Sequence, residues 1–261
     1  MANLPFGLNI DYKFRVARGE VPGAIIFTKY GKNIDIDTGT VPQDVWNGVG
    51  IYTGFPLGSS EILEIFSSDA ADTSAGTGAR TVKIYNLIDS TGAEADPITV
   101  TLAGTTPVDV HTSSLYYRGG SRMRVLTAGS SGFNEGELTL RHKTTTANIF
   151  AVMPSVNNQT AIAAYTVPLG KTLYIDSVNA RIGRASGAAG SAVMRLLARP
   201  YGGVFNAVIN PEVTTEGPYH NDATWFTFSE RTDIKWNCAD VSDSNTIISA
   251  EFNGLLVNNS N

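Results

Sequence analysis

The chain has 261 residues, 42% hydrophobic but only 16% charged, with 26 Gly, 11 Pro and a formal net charge of −5. That hydrophobic fraction excludes a disordered chain, and a charged share below the usual value of about a quarter leaves the surface to Ser, Thr, Asn and Gly. Mild acidity argues against an electrostatic nucleic-acid binder, which carries a basic face, and the Gly and Pro content excludes long helices.

The first 23 residues mix aromatic, basic and turn residues (Phe6, Tyr12, Phe14, Arg15, Arg18, then Pro22-Gly23) with no clean period. They read either as a frayed terminus that adds an edge strand or as an extended arm that packs on a neighbouring subunit. The start, MANLPFGLNIDYKF, lacks a basic region and an uninterrupted apolar run, so no signal peptide is expected. No stretch approaches the roughly 18 apolar residues of a membrane span, and neither a membrane nor a nucleic acid is expected as a partner. Val41–Trp46, with Pro42 near its start, predicts one short helical turn. Phe55-Pro56-Leu57-Gly58 is an apolar turn that either caps a core or meets a partner.

From there the hydrophobic period is two almost throughout. Arg122-Met123-Arg124-Val125 and Glu137-Leu138-Thr139-Leu140-Arg141 alternate in the first half. In Ala192–Arg199 the even positions are apolar, and in Thr232–Cys238 the residues Ile234, Trp236 and Cys238 share one face. Ile248, Ala250, Phe252 and Leu256 repeat the pattern, with Gly254 at a bulge or close-packing point. Such strands, one face buried and one wet, are antiparallel. Turn chemistry recurs at Asp89–Gly92, Leu102–Gly104, Ser130–Gly132, Pro168–Gly170 and Tyr201–Gly203. The predicted fold is all-β: two antiparallel β-sandwich or jelly-roll units with an extended N-terminal arm. The polar run Lys143–Asn148 suggests the boundary, giving an arm over 1–23, a first sandwich over 24–145 and a second over 146–261.

The search for chemistry is nearly empty. A single cysteine, Cys238, excludes intramolecular disulfides and multi-cysteine zinc sites, and its inward position predicts a small buried hydrophobe. The three histidines, His111, His142 and His220, lie in no nucleophile-elbow context, so no catalytic triad and no enzyme activity are expected. Asp69 and Asp72 come closest to a calcium loop, but their spacing does not match it, and the preferred reading has both carboxylates capping backbone amides. Gly76-Thr77-Gly78 lacks the Lys and the helix of a phosphate loop. Trp225-Phe226-Thr227-Phe228 reads as core aromatics, and the small-residue stretch Gly183–Ser191, with Arg184, as a hairpin tip that orders in an assembly. No cofactor is implied.

Several strings nevertheless carry a resemblance. Tyr52-Thr53-Gly54-Phe55-Pro56, Glu61–Ser68, Asp72–Val82, Leu102–Val108, Thr127–Gly132, Tyr165–Thr172, Arg199–Phe205 and Glu230–Ile234 are similar to strings in tailed-phage virion proteins. They resemble above all the jelly-roll modules of capsid decoration (cement) and head-fibre-like proteins of marine phages. The resemblance covers most of the chain from about residue 50 onward. It implies a non-enzymatic module that sits on the outside of the head, bound to the major capsid protein and to copies of itself, as a homotrimer in preference to a dimer. It also implies synthesis and assembly in the host cytoplasm. The other placement is a tail- or fibre-associated protein that recognises a host-surface glycan, with loops 183–191 and 210–222 in contact. Phe6, Tyr12, Phe14, Arg15, Arg18, Phe55 and Arg184 are the candidate interface residues.

Overall fold

The computed structural model describes residues 9–48, 50–55, 62–111, 116–184, 190–222 and 225–259. One helix, α1 (Asn9–Ala17), precedes β1 (Ala24–Ile36), β2 (Gln43–Asp44), β3 (Leu63–Ser67), β4 (Ala79–Asp89), β5 (Ile98–Thr101) and β6 (Val108–Asp109). Then come β7 (Tyr116–Ala128), β8 (Leu138–His142), β9 (Ile149–Met153), β10 (Ala164–Thr166), β11 (Lys171–Arg184) and β12 (Ser191–Arg199). The chain closes with β13 (Asn206–Ile209), β14 (Glu212–Thr214), β15 (Tyr219–Asn221), β16 (Phe226–Phe228), β17 (Asp233–Val241) and β18 (Thr246–Asn258).

These strands form four antiparallel sheets around two main cores. The order β1-β18-β11-β15, with β16 also on β11, makes one sheet; β10-β17-β12-β13, with β14 on β12 and β2 on β17, makes the second. Between them lies a core that includes Phe27, Val178, Met194, Trp236 and Phe252. Trp236 is wholly buried and donates its indole N–H to the Glu251 carbonyl at 3.1 Å, so the ring leaves no orphaned donor. The sheets β6-β3-β8-β9 and β5-β4-β7 enclose the other core, with Leu63, Ile84, Met123, Leu140 and Phe150. Strand β10 belongs to both: Tyr165 points into the first core and Ala164 into the second, as side-chain alternation requires.

The all-β, sandwich-like class agrees with the period-two pattern. Inward Ala192, Met194, Leu196 and Ala198 are all buried, as the alternation of β12 predicts. Gly254 also takes the expected role. The β11–β18 register shifts between Ile175 and Ser177, and a Cβ on Gly254 would stand 1.8 Å from the Tyr174 carbonyl oxygen. Only glycine fits there.

Four expectations need correction. The N-terminal segment is not extended over its described part, because residues 9–17 form α1. The predicted helical turn at 41–46 is instead β2, which pairs with β17 through Asp44 and Gln43. The hydrogen bonding does not divide the chain at 145. Strand β1 pairs along its length with β18 near the C-terminus, and β9 pairs with β8 across the expected boundary. The polar run 143–148 is the turn of that β8–β9 hairpin, closed by Asn148 N–H to Thr145 O and His142 N–H to Asn148 O. A polar run marks solvent exposure, which a hairpin tip and a linker share. Finally, β17 has no wet face at its centre: Asp233, Lys235 and Asn237 are buried opposite Ile234, Trp236 and Cys238.

Candidate interface

Buried polar groups are held in structural clamps. Asp44 receives the Lys235 ammonium and the Tyr52 N–H on Oδ2, both at 2.7 Å, and the Asn237 amide on Oδ1 at 2.9 Å. Lys235 and Asp44 are both nearly excluded from water, so the pair joins β17 to β2 on the face of β17 turned away from the first core. Arg199 Nε donates to Asp233 Oδ2 at 3.0 Å, and Thr166 Oγ1 donates to Oδ1 at 2.6 Å. The Arg199 guanidinium also lies over the Phe205 ring at 4.5 Å and the Phe55 ring at 5.6 Å. Phe55, a candidate interface residue by sequence, is therefore buried within the chain, edge-on to Tyr52 at 5.1 Å and capping the second core. Pro56–Gly58 lie outside the described residues.

The acidic loop behaves as an amide cap. Asp69 Oδ1 accepts the Ala71 N–H at 2.8 Å, while the wholly buried Asp72 accepts from Ala79 N, Glu135 N, Gly136 N and the Ser67 hydroxyl. No group of three or more metal-ligating side chains occurs among the described residues. Cys238 is buried, and loss of solvation pushes its thiol up to about 12, which leaves it unreactive at neutral pH. His142 Nδ1 accepts the Thr145 N–H at 2.6 Å within the hairpin turn.

Part of the exposed apolar surface lies on α1 and β1. Helix α1 ends in a Schellman motif: Gly19 N–H bonds Val16 O, Glu20 N–H bonds Arg15 O, and Gly19 takes φ +74°. Val16 packs on Ala24 and Leu255, and the Lys13 ammonium pairs with the buried Asp176 carboxylate at the β11 bulge. With those contacts fixing the helix on the sheet, Tyr12 and Phe14 stay 44% and 57% exposed. Arg18 lies over the Phe14 ring at 5.6 Å, and Arg15 and Arg18 both reach Glu20. Four of the seven residues expected from sequence, Tyr12, Phe14, Arg15 and Arg18, are thus exposed on α1 or just beyond its end. Phe6 and the Arg184 side chain lie outside the described residues.

Sequence reasoning missed the neighbouring β1. Ile25, Ile26 and Ile34 are exposed on a strand that, among the described residues, pairs with β18. The doublet Ile25-Ile26, which breaks the apolar–polar alternation, was the available signal. Tyr30 follows on the outer face, its phenol pushed up by burial against the opposing pull of Arg122 and Arg124. On the inner face Lys29 is buried, and desolvation, reinforced by Arg122 and opposed by Glu94, lowers its ammonium to about 7. Trp225, expected in a core, is instead 56% exposed, while Phe228 is buried.

No family model matches the chain, and no curated protein matches it in sequence. Among solved structures it is similar to the infectious bursal disease virus Gt strain, at 10% identity and a TM-score of 0.22 over 95% of this chain and 78% of that one. It is likewise similar to the VP2 subviral particle of infectious bursal disease virus, at 9% identity and a TM-score of 0.21 over 92% and 73%. Likeness at this level carries no argument for fold or function. The class that the structure itself defines is an antiparallel β-sandwich protein.

Proposed function

We propose that the chain is a virion structural protein: a phage capsid decoration (cement) protein that binds the outer surface of the major capsid protein lattice and stabilises the head. It is non-enzymatic and cofactor-free in this reading, and forms a homo-oligomer, a trimer in preference to a dimer. One observation carries the proposal. The exposed apolar side chains Tyr12, Phe14, Ile25 and Ile26 collect on α1 and β1, while the buried acids Asp44, Asp72 and Asp233 are committed to internal clamps. Large apolar side chains left exposed on neighbouring elements of a sandwich are available for assembly, and the virion-like strings supply the context.

Cryo-electron microscopy of the particle tests it. The expected result is two-sandwich density on the outer capsid face, with α1 turned toward the major capsid protein. Density confined to the tail, or absent from the particle, contradicts the proposal. A second reading, a tail- or fibre-associated module that recognises a host-surface glycan, is favoured by one feature, the cationic outer face of the β5-β4-β7 sheet.

A further inference from the structure

That face sets four side chains together. In the β4–β7 ladder Lys83 stands opposite Arg124, and Tyr85 opposite Arg122. The alternate residues Val82, Ile84 and Met123 fill the second core, which turns Lys83, Tyr85, Arg122 and Arg124 to the other face, the two arginines exposed and Lys83 and Tyr85 half-buried. Like charges placed directly opposite destabilise a sheet. Among the described residues, no ion pair joins Lys83, Arg122 or Arg124 to a carboxylate. Instead, Lys83 Nζ and Arg122 Cζ lie 5.6 and 5.8 Å from the Tyr85 ring centroid. Apart from that ring, three cations that no carboxylate neutralises among the described residues are a local cost.

The surroundings narrow the ligand. Thr81 and Thr127, whose hydroxyls are 2.6 Å apart, border the cations, and Thr99 stands opposite Lys83 on β5. Among the described side chains of β7, Leu126 is the exposed large apolar one, and protein interfaces need several buried aromatic or aliphatic anchors. Single-stranded nucleic acid needs free aromatic faces for stacking, whereas the Tyr85 ring has cations over it. A hydrated polymer bearing anionic groups and hydroxyls matches cations flanked by threonines on a sheet face. Arg122 and Arg124 also act on Tyr30 of β1, which with Asn179, Arg181 and Glu251 lines a shallow groove of about 250 Å³.

We propose that the outer face of the β5-β4-β7 sheet binds an anionic polysaccharide. Lys83, Arg122 and Arg124 hold its carboxylate or sulfate groups, and the flanking threonines bond its hydroxyls. This assignment does not depend on where in a particle the chain resides.

The test immobilises polygalacturonate, dextran sulfate, neutral dextran and an oligo-dT strand, and measures binding of the full chain by biolayer interferometry. The expected result is binding to polygalacturonate, dextran sulfate or both, the preferred probe naming the anionic group, with loss at high salt. The double variant Lys83→Gln/Arg124→Gln is expected to bind about tenfold more weakly, since exposed charge contacts are individually modest. Its melting temperature should hold or rise, because neutralisation removes the opposed like charges. Arg122→Gln, which leaves that opposed pair in place, is expected to lose the same binding by a smaller factor. Binding to neither anionic probe, equal binding to neutral dextran, unchanged affinity in both variants, or tighter binding to oligo-dT overturns the proposal.

Discussion

Replacing Asp72 by Ala removes the carboxylate that ties the β3 end, the β4 start and the 135–136 segment together. Its Oδ1 accepts the Ala79 N–H at 2.6 Å and the Glu135 N–H at 2.9 Å; its Oδ2 accepts the Ser67 hydroxyl at 2.6 Å and the Gly136 N–H at 2.9 Å. The side chain is wholly buried, so solvent does not take over these bonds. A buried donor left unmade costs about 1–3 kcal/mol. Three backbone donors are stranded, and partial relaxation places the expected loss at about 4 kcal/mol. For a chain of this size that lowers the melting temperature by roughly 8–16 °C. Urea and thermal melts of Asp72→Ala measure it, with calcium and chelator added in parallel to the parent chain. Because the carboxylate lone pairs are occupied by protein donors, calcium should leave the parent's melting temperature unchanged. A loss below about 1 kcal/mol, or a calcium-dependent rise, refutes the amide-cap reasoning.

Three further outcomes follow from the same packing. Lys29 has its folded pKa lowered to about 7 from 10.5, so the unfolded chain holds more protons between those values and stability rises with pH across that window. The burial penalty is full below pH 7 and gone above 10.5, so urea midpoints from pH 6 to 10 should climb for the parent and flatten for Lys29→Met; a flat parent profile contradicts the reasoning. Gly254→Ala forces a methyl against the Tyr174 carbonyl, 1.8 Å from where its Cβ would sit, and should cost about 3 kcal/mol or more in chemical denaturation; a neutral substitution would disprove the close-packing argument. Lys235→Met leaves the Asp44 carboxylate buried without its cation and should cost about 3–5 kcal/mol, with much of the loss recovered in Asp44→Leu/Lys235→Met; no recovery in the double variant shows that the ion pair is not the coupling.

The fold was legible where side chains have one job. Alternation in β12 and the inner face of β17 marked the core, because Met194, Leu196, Ile234 and Trp236 simply point inward. The outer face of β17 escaped, since Asp233, Lys235 and Asn237 look solvent-facing until Arg199, Asp44 and β2 are brought over them in space. Pairing between β1 and β18 joins residues more than two hundred positions apart, and no local pattern encodes such a partner. Helix α1 offers little periodicity, because among its described side chains Val16 alone is buried. Of the interface, the aromatic and basic composition of α1 was visible, and so was Phe55. However, an apolar turn reads alike whether it caps a core or meets a partner, and the structure places Phe55 on a core. The cationic strip was hidden because Lys83 and Arg124 face each other only through strand register.

The most direct test of the central proposal, that this chain is an external capsid component, is its copy number relative to the major capsid protein in purified particles, measured by quantitative mass spectrometry. A decoration role predicts a fixed ratio set by the capsid lattice. A ratio matching the few copies of a tail or fibre component, or no chain in the particle, contradicts it.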